Sequence, residues 1–304
     1  MKTKIPDNIK ADLPQNTWGK VLGMTPIIMT VIATLLAGIA SSEMTHAQYD
    51  RSLAAELQSK AGDQWGYFQA KKLRGALQQN TLELLQATLD VPPLDMSGCQ
   101  ADLAALKAPA VPETLAALTK SELPAIASGA GLQPKVQAAL DAVSASKPET
   151  EVLALLATVT DADLSAAMNA AKDQVQAFDT VIKPVSSNLD KLEKKLNQPG
   201  ANRGQLQGFT AARLRFASAR YDNEARLNQV VGNVYELQVR KSNASAERHH
   251  RRSARFFYGM LAAQMGVVIS TFALAARQKS LLWSLAAAAG LLAVSFSTWV
   301  FLKM

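Results

Sequence analysis

Residues 255–303 run RFFYGMLAAQMGVVISTFALAARQK and then SLLWSLAAAAGLLAVSFSTWVFLK, two apolar stretches around which the rest of the chain must be arranged. Between Arg255 and Arg277 lie 21 residues without a charge (Phe256 to Ala276), and between Lys279 and Lys303 lie 23 more (Ser280 to Leu302). At about 1.5 Å rise per residue, each run is long enough to cross a hydrocarbon layer roughly 30 Å thick. Lipid offers no partner to a backbone N–H or C=O, so both runs must be helical. Only Arg277, Gln278 and Lys279 separate them, which makes 253–304 a two-span hairpin with spans at 256–276 and 280–302.

A third charge-free run, Val21 to Ser42, lies between Lys20 and Glu43 behind a polar tail of residues 1–20. Small residues at Gly38 and Ala40, and at Thr45 and Ala47, would suit a signal-peptidase site. The run is longer than a usual signal core, however, and the sequence favours a retained span with Pro26 in its first turn. Three spans then enclose a water-soluble middle.

The formal charge of +7 invites a nucleic-acid reading, and its placement argues against one. Residues 1–20 carry +2, residues 240–255 carry +5, and Arg277, Lys279 and Lys303 add +3, which leaves −3 for the middle. The basicity sits at the membrane edges, where each Lys or Arg near anionic lipid contributes about 1 kcal/mol. A nucleic-acid binder would carry it on the folded domain. The single cysteine, Cys99, excludes an internal disulfide and a multi-cysteine metal site.

Residues 43–89 are good helix formers without proline, and read as a stalk helix leaving the membrane. Residues 90–182 are an Ala- and Pro-rich insert, with short helices expected at 100–108, 112–122, 134–145 and 149–158. Thr160 with Asp163 is a capping signature for a longer helix toward Lys183. Residues 183–252 return to the membrane. From Leu206 to Lys241, alternating steps of three and four select eleven positions. Seven are apolar (Leu206, Phe209, Phe216, Leu227, Val230, Val234 and Leu237), and Arg213, Arg220, Asn223 and Lys241 interrupt them. Such a heptad-like seam needs a partner, either the antiparallel 43–89 helix or a second subunit. The expected fold is all-α: three transmembrane helices, a long antiparallel, coiled-coil-like stalk, and a small helical insert of modest packing strength.

The segment Gly62-Asp63-Gln64-Trp65-Gly66-Tyr67-Phe68-Gln69-Ala70-Lys71 resembles the signature of a bacterial family, domain of unknown function 4337. Members are similar in layout: one span, a helical soluble segment, a basic stretch and a two-span hairpin. The likeness covers roughly residues 15–90 and 200–304, where Ala254-Arg255-Phe256 and Arg277 to Trp283 resemble the family's C-terminal end. It implies a membrane location and a helical build, and no activity.

Within the signature, Asp63, Gln64, Trp65, Tyr67, Phe68, Gln69 and Lys71 are candidates for docking a partner. The competing expectation is that Trp65 and Phe68 pack against the returning helix. Arg248, Arg251, Arg252 and Arg255 are candidates for lipid-headgroup contact and fix where the second span begins, since an Arg inside it costs about 2.5 kcal/mol or more. Adjacent His249 and His250 point about 100° apart on a helix, a poor arrangement for one metal. Gly259, Ala262, Ala263 and Gly266, with Ala286 and Gly290 in the third span, are small residues four apart that let helices approach closely. Gln264, the lone strongly polar side chain of its span, is expected in an interhelical hydrogen bond.

No acid, Lys, Arg or His lies within a span, so a proton relay has no material. No Walker loop, His-Glu-x-x-His or Gly-x-Ser-x-Gly occurs, and Ser128-Gly-Ala-Gly131 lacks the Gly-Lys-Ser/Thr ending of a phosphate loop. The sequence therefore reads as a non-enzymatic, multi-pass membrane protein of the bacterial inner membrane, without cofactor, small-molecule substrate or nucleic acid. Its expected partners are the lipid bilayer and either a second copy or another membrane protein. Summed over the flanks, nine basic residues mark the side of the soluble middle and six the other, which favours a cytoplasmic domain. A channel or transporter subunit is the alternative, resting on Gln264, Ser295 and Ser297.

Overall fold

A computed structural model describes residues 17–125, 132–198, 202–275 and 279–303. The Ser128–Gly131 turn, the break at Pro199 and Gly200, the Arg277–Gln278 turn and the tail before residue 17 lie outside the described residues. Those described form eight helices and no strand: α1 (Thr17–Thr88), α2 (Met96–Ala105), α3 (Val111–Lys120), α4 (Pro134–Ser144), α5 (Glu149–Leu156), α6 (Asp161–Leu196), α7 (Arg203–Ala275) and α8 (Lys279–Lys303). The chain is all-helical, and α1, α7 and α8 are long and apolar enough to cross a membrane. It divides into two compact units, Ala54–Lys241 and the pair Met1–Leu53 with Ser242–Met304.

In the first of these units α1 and α6 run parallel to each other and antiparallel to α7, and the short helices cover them. Two cores result. One joins Leu57 and Ala61 of α1 to α4, α5, the start of α6 and Val231, Val234, Tyr235 and Leu237 of α7. The other joins Phe178, Ile182, Val185, Leu189 and Leu192 of α6 to Phe209, Ala212 and Phe216 of α7, with Leu103 and Ala117 from α2 and α3. Phe178, Phe209 and Phe216 are fully buried, each stabilising the unit by about 1.5–3 kcal/mol.

The seam on α7 takes the antiparallel α1 as one partner, Trp65 and Lys71 reaching Glu236 and Glu224 and Gly75 lying close to Tyr221, and α6 and the insert cover it as well. The insert is accordingly a principal part of the core, not a weakly packed appendage. The polar seam positions are filled too: Arg213 pairs with Asp190 at 2.7 Å, Arg220 donates to Ser186 Oγ at 2.9 Å, and Lys241 pairs with Asp161 at 2.8 Å. At these three interruptions of the apolar pattern α6 presents an acid or a hydroxyl.

Local chemistry sets the helix ends. Pro92 and Pro93 follow the end of α1, and Asp95 then starts α2 four residues ahead of the expected position by accepting from the Ser97 and Gly98 N–H groups. Thr160 and Asp163 form the reciprocal capping box at the start of α6. That helix continues through Pro184 to Leu196. Asn188 is buried on it and donates to Thr114 Oγ1 at 2.9 Å and to the Pro109 carbonyl, tying α3 to α6.

In the other unit the apolar parts of α1, α7 and α8 pack together. Pro26 is not in a first turn, because α1 begins at Thr17 and carries it in its interior. Inward-facing Phe256, Gly259, Ala263, Gly266, Ser270 and Ala273 of α7 are all buried. Gly259, Ala263, Gly266, Ala286 and Gly290 are buried within the bundle, and Ala262 is half-buried beside Ala33, Ala263 and Ala293. Met29 of α1 fits the notch so made: a Cβ on Gly290 would lie 2.7 Å from its sulfur, and one on Gly266 3.5 Å. Gln264 is the exception. It is exposed, and among the described residues it makes no hydrogen bond to a neighbouring span.

Candidate functional site

The signature on α1 splits into an inward and an outward half. Trp65 is half-buried and donates from Nε1 to Glu236 Oε1 of α7 at 2.8 Å, with Phe68 edge-on to its ring at 5.4 Å between centroids. Opposite stands Gly232, where a Cβ would already touch Gln64 and Trp65 at 3.6–3.7 Å, so α7 comes close to the indole. Lys71 reaches Glu224, a carboxylate only 5% exposed, which also takes Arg220 Nε at 2.6 Å. The Lys71 ammonium and Arg220 guanidinium both lie over the Tyr221 ring, 5.5 and 5.7 Å from its centroid. Two cations on one buried carboxylate offset the cost of removing it from water. Trp65 and Lys71 therefore lock α1 to α7, with Phe68 edge-on to the indole.

The outward half is different. Asp63, Tyr67 and Gln69 are exposed and Gln64 is half-buried. Gln64, Tyr67 and Lys71 form one wall of a cleft of about 340 Å³, completed by Lys172 and Asp179 of α6 and Asn228 of α7 over an apolar floor that includes Phe178 and Leu227. The cleft mixes both signs of charge, and its chemistry suits an amphipathic surface group more than a reaction centre.

A second cluster stands where α1 and α7 leave their apolar stretches. Glu43, nearly buried, is ion-paired with Arg252 at 3.3 Å and lies 2.6 Å from His249 Nδ1. The His46 ring is 5.3 Å from that of His249, and Ser253 Oγ donates to the Ala40 carbonyl at 2.7 Å. Of the four arginines read as headgroup contacts, Arg252 is turned to Glu43 and Arg255 lies over the Trp299 ring at 5.6 Å. Arg248 and Arg251 are exposed, Arg251 in a 2.7 Å pair with Glu247. Among the described residues no three His, Cys, Asp or Glu side chains converge as ligands. Sequence reasoning missed Glu43 and Glu224. For Glu43 a signal existed, since it is the first charge after the span and faces the basic run.

Gln264, Ser295 and Ser297 do not share a face: Ser297 is buried in the bundle, whereas Gln264 and Ser295 are exposed.

The family model described as Domain of unknown function (DUF4337) matches residues 18–130. The family read from Asp63 to Lys71 is thereby supported over α1, α2 and α3, and the match takes in part of the proline-rich insert while residues 200–304 lie outside it. No curated protein and no solved structure matches the chain.

Proposed function

We propose that this chain, with its domain of unknown function 4337, is a non-enzymatic scaffold or assembly component of a bacterial inner membrane, acting through its soluble helical unit on a second copy or another membrane protein. One observation carries the proposal. The signature commits Trp65 and Lys71 to packing yet leaves Tyr67, 58% exposed, lining an open cleft beside Gln64, with Asp63 and Gln69 exposed on the same helix. An exposed tyrosine with polar neighbours is a usual anchor for a protein partner. Purification from native membranes of wild type, Tyr67→Ala and Trp65→Ala tests it. Partners lost with Tyr67→Ala, in a chain of unchanged stability, support docking. Partners retained by Tyr67→Ala and lost only with Trp65→Ala reduce the signature to packing and overturn the proposal. The basic-residue balance of nine to six supports a cytoplasmic placement of this unit.

A further inference from the structure

We infer that two copies of this chain pair within the membrane along the outward face of α7, with Gln264 hydrogen-bonded to the partner subunit's Gln264. The inference rests on the proposed assembly role and gives its self-association a surface. The two features that first suggested self-association are used up inside one chain. The 206–241 seam is covered by α6 and α1, and Gly259, Ala263, Gly266, Ala286 and Gly290 face the chain's own bundle.

Opposite the buried stripe of α7 runs a second one, Phe257, Leu261, Gln264, Val268 and Thr271, at successive steps of four, three, four and three. All five are exposed: Phe257 47%, Leu261 40% and Val268 52%, with Gln264 and Thr271 alongside. Tyr258 and Met265, each 63% exposed, and Phe272, 66%, flank it. This is the spacing by which two helices interlock over several turns. Lipid alone would cover an apolar stripe, but not this one. Gln264 lies nine residues past Arg255, about 13 Å along the helix and so near the middle of a hydrocarbon layer of roughly 30 Å. Thr271 satisfies its hydroxyl on the Val267 carbonyl at 2.8 Å, whereas the Gln264 amide has no partner among the described residues. An unpaired carboxamide at that depth is costly, and its donor and acceptor are best met by another carboxamide. Across a two-fold axis the same residue supplies both, and one polar position in an apolar seam fixes register and number.

The test uses the full chain with Cys99→Ser in native membranes. Single cysteines at Leu261 or Val268, on the stripe, are oxidised and compared with Leu291→Cys on the outer face of α8, where that residue is 69% exposed. Disulfide-linked dimers are expected from the two stripe positions and not from the third. Adding Gln264→Leu should weaken pairing roughly 3- to 30-fold, the range for interhelical hydrogen bonds in membranes, while Gln264→Asn keeps most of it. Leucine inserts more readily than glutamine, so lost pairing would not reflect lost insertion. Equal cross-linking at position 291, adducts with a different protein, or pairing undiminished by Gln264→Leu overturns the inference. Co-purification of two differently tagged copies separates the outcomes. If Gln264→Leu copies still co-purify, the chain self-associates elsewhere and only this face falls. If wild-type copies never co-purify, self-association falls altogether, and the Tyr67→Ala result is read independently.

Discussion

Glu224 shows at the scale of one side chain why the signature contains a lysine. The carboxylate is 5% exposed, and Lys71 and Arg220 are both needed to hold it there. Replacing Lys71 with methionine keeps the aliphatic stem over Tyr221 but leaves one carboxylate oxygen unsatisfied. A loss of about 1–3 kcal/mol is expected in denaturant unfolding followed by circular dichroism. Tyr67→Ala, on the exposed side of the same helix, should stay within about 0.5 kcal/mol of wild type. Equal losses would mean that Tyr67 is a packing residue and would remove the basis for docking. Cys99 gives a second test. Burial, then the charges of Asp102 and Asp95, push its thiol up to about 11. It therefore stays protonated between pH 7 and 9, and a maleimide should label it slowly at pH 8 until the helical unit is unfolded. Rapid labelling of the native chain would place α2 away from its core.

At the scale of the helix, what could be read from sequence was periodicity, and what could not was the identity of the covering element. The seam at Phe209, Phe216, Val234 and Leu237 is legible because apolar residues recur at three and four, and all four are buried. That α6 covers it is not legible, since any apolar helix of matching length would serve. Pro184 made this harder: proline removes a donor and normally ends a helix, yet α6 continues through it because the core on both sides holds the backbone. The division of the signature between Trp65 and Tyr67 depended on where Gly232 lets α7 approach. The small residues of the spans were legible in kind, and their use is open to test. A side chain on Gly290 meets Met29, so Gly290→Val should cost about 1–3 kcal/mol and loosen protease resistance of the bundle. Gly38 has nothing within 4 Å, and Gly38→Ala should be neutral or mildly stabilising. The capping box is pH-linked. The backbone N–H and hydroxyl of Thr160 hold the Asp163 carboxyl below its usual range. That stabilisation is full above the unfolded pKa of about 4 and fades as pH falls through the lowered folded value. Thr160→Ala should cost about 1 kcal/mol at neutral pH and progressively less in acid.

For the whole molecule the open quantity is orientation, and the charge pattern constrains it. With three spans the tail before α1 and the helical unit lie on opposite sides of the membrane, and the hairpin returns Lys303 to the side of the helical unit. The basic run before the second span places six positive charges on that side, against Arg277 and Lys279 beyond it. The four lysines ahead of the first span pull the other way. The run at 248–255 lies immediately beside its span, where charge counts most. Glu43 does not reverse this, because acids weigh little in the balance even when, as here, one is paired with Arg252. A fluorescent protein fused after Met304 should therefore be bright in intact cells, and alkaline phosphatase at the same point inactive. Replacing Arg248, Arg251 and Arg252 with glutamine should bring the two sides to equal counts of six and yield a mixed population. A phosphatase-active wild-type fusion would put the helical unit outside, and the partner sought through Tyr67 would then have to be an extracytoplasmic one.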